Sequence, residues 1–310
     1  MSCKEVINIK LFFGKVIKEL RYLKKLTQEQ LADGLCSVKQ LSRIENNSSQ
    51  PTLYLIKEFS FRLGEDLMEY MYYCDLDNPV QWKILIDSLE EQMNFMEYLD
   101  VYETASKAYL ELPKPHPILE QALLWYKGAS AFYLKDLHFA DMQYFENILS
   151  LTLKFNELKD VFSHPLKPFE IRIINSIVYL HLVNENFSEA EEMMLKVIEI
   201  YESNYFIIKD SSYLKLLYNL GRLYLRQERY EEALKIVNRG IKHCLKTNTL
   251  FYLDDLCNIK GRCLYLTGEE EEGRKFLSSF IILSELYRSP EDFESIKNEL
   301  IIKYKLHIYP

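Results

Sequence analysis

The sequence predicts an all-α protein: a small N-terminal helical domain followed by a superhelix of about five stacked helix pairs. Three observations carry that expectation. Nine Gly and nine Pro in 310 residues leave few tight turns to make, against about 7% and 5% in ordinary chains. Apolar residues recur at helical spacing along much of the chain. A pair of compact residues twelve positions apart recurs four times, which marks an internal repeat. The 48% hydrophobic and 27% charged content is that of an ordinary globular chain. No apolar run approaches the ~18 residues that span a bilayer, and the leading MSCKEVINIK has no export-signal pattern. The expected location is cytoplasmic, with no membrane partner.

Charge is unevenly placed. Residues 1–43 hold 9 Lys+Arg against 4 Asp+Glu, and residues 1–72 hold 11 against 9, whereas the rest of the chain holds 27 against 37. A basic leading segment on an acidic body suits nucleic-acid contact at one end only, because the body repels phosphate. The six cysteines, Cys3, Cys36, Cys74, Cys244, Cys257 and Cys263, form no CxxC pair. His243 beside Cys244, with Cys257 and Cys263 downstream, could be drawn as a metal site, but Cys257 and Cys263 fall on predicted helix faces where small apolar residues pack. The expectation is reduced thiols, no metal and no cofactor.

Residues 9–25 place Leu11, Phe12, Val16, Leu20 and Leu23 at helical spacing. Thr27 and Gln30 then form a capping box that opens a second helix from Gln28 to about Asp33, with Leu31 and Ala32 inward. Gly34 permits a tight turn. Ser37 and Gln40 read as a second capping box that opens a third helix through Ser42, Arg43, Ile44 and Glu45. Thr52, after Pro51, starts a fourth that Gly64 ends. Two short helices joined by a tight turn, the second opening on polar residues, make a helix-turn-helix. Val38, Lys39 and Gln40 open the helix whose start can reach major-groove base edges. Thr27, Gln28 and Arg43 suit phosphate, which fixes position without reading sequence. Ser37 belongs to the same candidate DNA surface.

The string TQEQLADGLCSVKQLSRIEN with the preceding KELRYLKKL resembles the lambda-repressor-like, or Xre-type, DNA-binding domains over residues 9–72. The turn is one residue shorter than the commonest pattern, and Cys36 stands where glycine is often found. This leaves the register of base-reading side chains open by one position. The resemblance implies a structural ion pair between Arg21 and Glu45.

Residues 73–79 read as a linker, with Pro79 at the first turn of the next helix. Residues 80–310 then read as the repeat domain. Leu217-Tyr-Asn-Leu-Gly221, Tyr224 and Arg229-Tyr230-Glu-Glu-Ala233-Leu234 resemble a tetratricopeptide repeat, which implies a right-handed superhelix. The twelve-residue spacing runs from Gly128 to Ala140, Val178 to Ala190, Gly221 to Ala233 and Gly261 to Gly273. The steps of 50, 43 and 40 exceed the ~34 of the standard repeat, so helices or loops are lengthened. A degenerate pair is expected over 80–112, around Trp82 and Tyr98, and a capping helix near Glu291–Leu306.

Stacked pairs leave a concave wall lined by the first helix of each pair. Candidates along it are Trp125, Phe132, Arg172, Asn175, Tyr179, Lys215, Asn219, Arg222, Asn258 and Arg262. Asparagine is a poor helix-interior residue, so its recurrence invites a functional reason. Its amide can donate to and accept from the backbone of an extended peptide. The basic residues can receive a carboxylate.

The whole chain resembles the peptide-pheromone regulators of Gram-positive bacteria, in particular the PlcR-like branch. LSRIE at 41–45, the shortened turn with Cys36, Asn175, Asn219 with RYEEA at 229–233, and GRCL at 261–264 carry the likeness. The resemblance implies a homodimeric quorum-sensing transcription regulator. Its repeats would bind a short signalling peptide, its paired heads a palindromic duplex, and Asn175 and Asn219 would hold the peptide backbone. Peptide would alter head spacing through superhelix curvature or through the linker. The alternative is a helix-turn-helix regulator whose repeats serve only as a dimerisation or docking scaffold. An enzyme is not expected, because nucleophile elbow, HExxH, P-loop and catalytic Cys/His spacing are all missing from the sequence.

Overall fold

The computed structural model describes residues 13–113, 115–134, 141–203, 211–286 and 290–306, and every regular element among them is helical. The start of the first predicted helix, with Leu11 and Phe12, and the repeat position Ala140 lie outside the described residues. The chain forms two compact units, Met1–Leu153 and Lys154–Pro310.

The first unit opens with α1 (Gly14–Leu23), α2 (Gln28–Ala32), α3 (Val38–Glu45) and α4 (Leu53–Leu63). The starts of α2, α3 and α4 are each fixed by a local hydrogen bond. Thr27 Oγ1 accepts from the Gln30 N–H at 3.1 Å while the Thr27 N–H donates to Gln30 Oε1 at 2.8 Å. Ser37 Oγ accepts from the Gln40 N–H at 3.2 Å, and Thr52 Oγ1 from the Leu55 N–H at 3.2 Å. Gly34, at φ 67°, turns α2 into α3, a conformation open to glycine at little cost. Val16, Ile17, Leu20, Leu31, Ala32, Leu41, Ile44 and Phe59 fill the space between these helices. Leu23 departs from the expected pattern. It is 59% exposed, because α1 ends there and Leu26 packs on the core instead.

The segment expected as a linker is packed. Tyr73, Cys74 and Leu76 are buried, and Cys74 and Val80 share the core of the head. Lys15 Nζ donates to Asp77 Oδ1 at 2.6 Å and to the Leu76 carbonyl at 3.4 Å. The Val80 N–H donates to Glu19 Oε2 at 3.1 Å. Two hairpins follow, α5 (Pro79–Asn94) with α6 (Tyr98–Glu111) and α7 (Pro117–Tyr133) with α8 (Met142–Ser150). Tyr98 stacks on Tyr133 with ring centroids 4.3 Å apart.

The second unit holds three more pairs: α9 (Pro168–Val183) with α10 (Phe187–Ser203), α11 (Ser211–Arg226) with α12 (Tyr230–Thr247), and α13 (Leu253–Leu266) with α14 (Glu270–Glu285). The compact residues sit where paired helices cross. Val178 and Ala190 are buried. A Cβ on Gly261 would stand 2.8 Å from the Gly273 carbonyl oxygen, and one on Gly273 would stand 2.8 Å from that of Gly261. No side chain fits there. A last helix, α15 (Pro290–Tyr304), lays Phe293, Leu300 and Tyr304 on Leu277, Phe280 and Ile281. A buried side chain of this size contributes roughly 2–3 kcal/mol, so α15 closes an apolar face that α14 would otherwise leave in water.

Candidate functional site

The head presents one polar edge. Ser37, Val38, Lys39 and Gln40 are exposed around the first turn of α3, Arg43 is exposed one turn later, and Thr27 is exposed at the start of α2. Behind them, Arg21 and Glu45 are buried and joined twice, Nε to Oε1 at 2.6 Å and Nη2 to Oε2 at 2.9 Å. The bond to Glu45 raises the Arg21 guanidinium above its ordinary value. Gln28 is partly engaged, its Nε2 donating to Glu45 Oε2 at 2.7 Å. The ion pair thus orients a residue that the sequence suggested for phosphate. Arg62, which the sequence reading did not single out, donates to the Leu31 carbonyl at 2.9 Å and ties α4 to the end of α2.

The second unit brings most of the groove candidates together. Arg172, Asn175 and Tyr179 fall on one face of α9, Lys215, Asn219 and Arg222 on one face of α11, and Asn258 and Arg262 on α13. The ammonium of Lys215 lies 6.0 Å from the centroid of the Tyr179 ring, so these faces of α9 and α11 meet. Asn175 is the exceptional group. Its Nδ2 and Oδ1 are both buried, and neither has a hydrogen-bond partner among the described residues. An unmet buried polar group costs about 1–3 kcal/mol, and an amide with both ends unmet matches the C=O and N–H of an extended chain. Asn219 is buried one turn from Lys215.

Other candidates are differently engaged. Arg262 Nε donates to Asn258 Oδ1 at 2.9 Å, and its Nη2 lies 3.8 Å from Glu299. Arg172 lies 5.6 Å above Phe169 and Arg222 5.5 Å above Tyr218. Trp125 and Phe132 belong to α7 in the first unit, where Trp125 meets Tyr126 edge-on at 5.0 Å. Tyr218 and Tyr252, stacked at 5.1 Å, were missed by the sequence reading. The spacing of Tyr218 and Arg222, four apart on one helix, was the available signal.

Among the described residues, no three His, Cys, Asp or Glu side chains gather as a metal site, and no helix is long and apolar enough to cross a membrane. Burial pushes the thiols of Cys244, Cys257 and Cys263 up to about 11, which disfavours the reactive thiolate.

Two family models match the chain: a helix-turn-helix over residues 17–68 and the RNPP family C-terminal domain over residues 86–301. Among solved structures, the chain is similar to Bacillus thuringiensis PlcR in complex with the peptide PapR7 and DNA. That match has 22% identity, covers 94% of this chain and 100% of the other, and has a TM-score of 0.71. It is also similar to ComR from S. thermophilus in complex with DNA and its signalling peptide ComS, at 18% identity, 94% and 99% coverage and a TM-score of 0.53. The Streptococcus dysgalactiae SHP pheromone receptor Rgg2 matches at 13% identity, 94% and 97% coverage and a TM-score of 0.52. These likenesses establish the fold. No curated protein matches.

Proposed function

Because the chain belongs to the RNPP family, whose C-terminal domain model spans residues 86–301, we propose that it is a DNA-binding transcription regulator governed by a short signalling peptide. The head, residues 1–72, reads a palindromic duplex. Val38, Lys39 and Gln40 approach base edges, and Thr27, Gln28, Ser37 and Arg43 hold phosphate. The body, residues 80–310, dimerises and binds the peptide along α9, α11 and α13, with Asn175, Asn219, Arg172, Tyr179, Lys215, Arg222, Asn258 and Arg262 as the contact set. The protein works in the cytoplasm without a cofactor and performs no catalysis. PlcR and ComR, similar in fold, were each solved with both a peptide and DNA, which supports this reading over a purely structural repeat domain.

The observation that carries the peptide reading is Asn175, a buried amide unmatched among the described residues on the face that meets Lys215. A peptide lying there gives the amide both of its missing partners, as a neighbouring strand would. The response is a population shift. Two heads grip a duplex only when their separation matches half-sites about 34 Å, one helical turn, or a multiple apart. The peptide moves that equilibrium by the difference in its affinity for the competent and incompetent shapes. With residues 73–79 packed against α1, curvature of the repeats is the favoured route.

The test begins by selecting an operator from random duplexes with the purified chain. Short synthetic peptides are then screened for a change in operator affinity. Asn175→Ala and Asn219→Ala are expected to remove the response while leaving basal duplex binding intact. Both variants responding like the unaltered chain would place the peptide elsewhere, and a failure of the chain to bind any duplex at low salt would remove the regulatory reading.

A further inference from the structure

The second unit treats its partly buried cations in two ways. Arg229 is held by Glu191 and Glu232, at 2.8 and 2.6 Å, and Arg239 is paired with Glu202. The head does the same with Arg21 and Glu45. Lys215 is different. It is partly buried on α11, its ring neighbour is Tyr179 at 6.0 Å, and no carboxylate among the described residues pairs with it. Loss of water pushes its ammonium below the usual lysine range. An uncompensated charge at such a place is expensive, and a flexible lysine could relieve it by reaching water. The nearby polar groups, Asn175 on α9 and Asn219 on α11, are amides and carry no balancing charge.

Resting on the groove reading above, we infer that Lys215 is an anion-receiving position, and that the peptide must present a carboxylate to it, from its C-terminus or from an acidic side chain. The other basic candidates are less suited. Arg262 is already bonded to Asn258 and lies beside Glu299, and Arg172 and Arg222 lie over Phe169 and Tyr218. Two chemistries then divide the recognition. The Asn175 and Asn219 amides hold backbone, which is common to all peptides. Lys215 discriminates, because only a ligand carrying negative charge at the right place restores what burial removed. The acidic balance of the body, 27 Lys+Arg against 37 Asp+Glu beyond residue 72, sharpens the choice: an anionic ligand is repelled everywhere except at a local cation.

The experiment uses the full chain and positional-scanning pools of short synthetic peptides. Each pool is made twice, with a free C-terminal acid and with a C-terminal carboxamide, and binding is read by fluorescence polarisation. The expected result is that carboxylate-bearing pools bind about tenfold or more tightly than their neutral counterparts. Lys215→Met is expected to erase that preference while weaker binding persists, and Lys215→Arg to keep it. A preference that follows the free acid assigns the terminus. One that survives amidation and follows fixed Asp or Glu over Asn or Gln assigns a side chain. Equal binding of acid and neutral pools overturns the inference and leaves the peptide groove standing, and it does so on the unaltered chain, whatever the folding of the variants. A preference that persists in Lys215→Met also overturns it. If no pool binds, the groove reading itself falls, and this inference with it.

Discussion

Arg21 and Glu45, 24 positions apart, meet through two parallel hydrogen bonds of 2.6 and 2.9 Å with both side chains almost wholly out of water. The pair fastens α1 to the end of α3, and Glu45 also accepts from Gln28 on α2. Three of the four head helices therefore share one carboxylate. Removing one partner of such a pair strands the other, at about 3–5 kcal/mol. Arg21→Ala or Glu45→Ala is expected to unfold the head at markedly lower urea, while the double replacement Arg21→Met with Glu45→Leu recovers much of the loss. Urea titration followed by circular dichroism checks both.

The contact of Gly261 with Gly273 makes a second expectation. A new methyl group on Gly261 would meet Leu277 Cγ at 2.7 Å and, beside it, backbone atoms of Gly273 and Leu277 at 2.8 and 2.9 Å, so moving the leucine side chain alone cannot make room. Gly261→Ala is expected to cost about 1–3 kcal/mol and to loosen α13 from α14, read as faster amide exchange in both. Alanine at the neighbouring Gly268 meets nothing within 4 Å but must adopt φ 96°, so its smaller cost, about 1 kcal/mol, comes from backbone strain alone.

Asn175 is expected to behave oppositely in stability and function. Replacing it by Ala removes an unmatched amide and a poor helix former, so the chain without peptide is expected to gain about 1 kcal/mol. The same change is expected to abolish the peptide response. Thermal unfolding with and without a responsive peptide separates the two effects. A loss of stability in the absence of peptide would mean that the amide serves the fold.

The proposed DNA edge is expected to divide by role. Lys39→Ala or Gln40→Ala is expected to cost about 1–3 kcal/mol on the selected operator and to relax the preference at one base position. Arg43→Ala is expected to weaken all duplexes alike and to lower the salt slope by about one. Binding isotherms at several salt concentrations, on operator and scrambled duplexes, distinguish them.

Acid exposes a further contribution. Hydrogen bonds from Arg229 hold the Glu191 carboxyl below its ordinary range, with Tyr224 adding another at 3.0 Å. The folded state thus binds that proton less readily than the unfolded state does. The stabilisation is complete above the ordinary glutamate pKa and is lost as pH falls through the lower, folded value. Glu191→Gln is expected to lose about 1 kcal/mol near neutrality, because the pair is partly screened by water. It is also expected to flatten the acid side of the stability profile between those two values.

How far the sequence could be read depended on the range of the interactions. Thr27 with Gln30, Ser37 with Gln40 and Thr52 with Leu55 act within one turn, and these starts are visible as letters. The twelve-residue pairs were visible because helix crossings demand compact residues at a fixed register, as Gly261 and Gly273 demonstrate. Leu23 was misplaced because periodicity cannot tell which apolar residue a helix end abandons to water. The company of Gln28 with Glu45, of Arg262 with Asn258 and of Tyr218 with Tyr252 depends on neighbouring elements. The unmatched state of Asn175 and Lys215 depends on everything around them, so the sequence named those residues without ranking them.

The clasp between α1 and the start of α5 has a mechanical meaning. Lys15 grips Asp77 and the Leu76 carbonyl, Glu19 takes the Val80 N–H, and Cys74 seals the seam. A head fastened in this way does not swivel on a loose tether. It is expected to travel with the first hairpin as a blade travels with its handle.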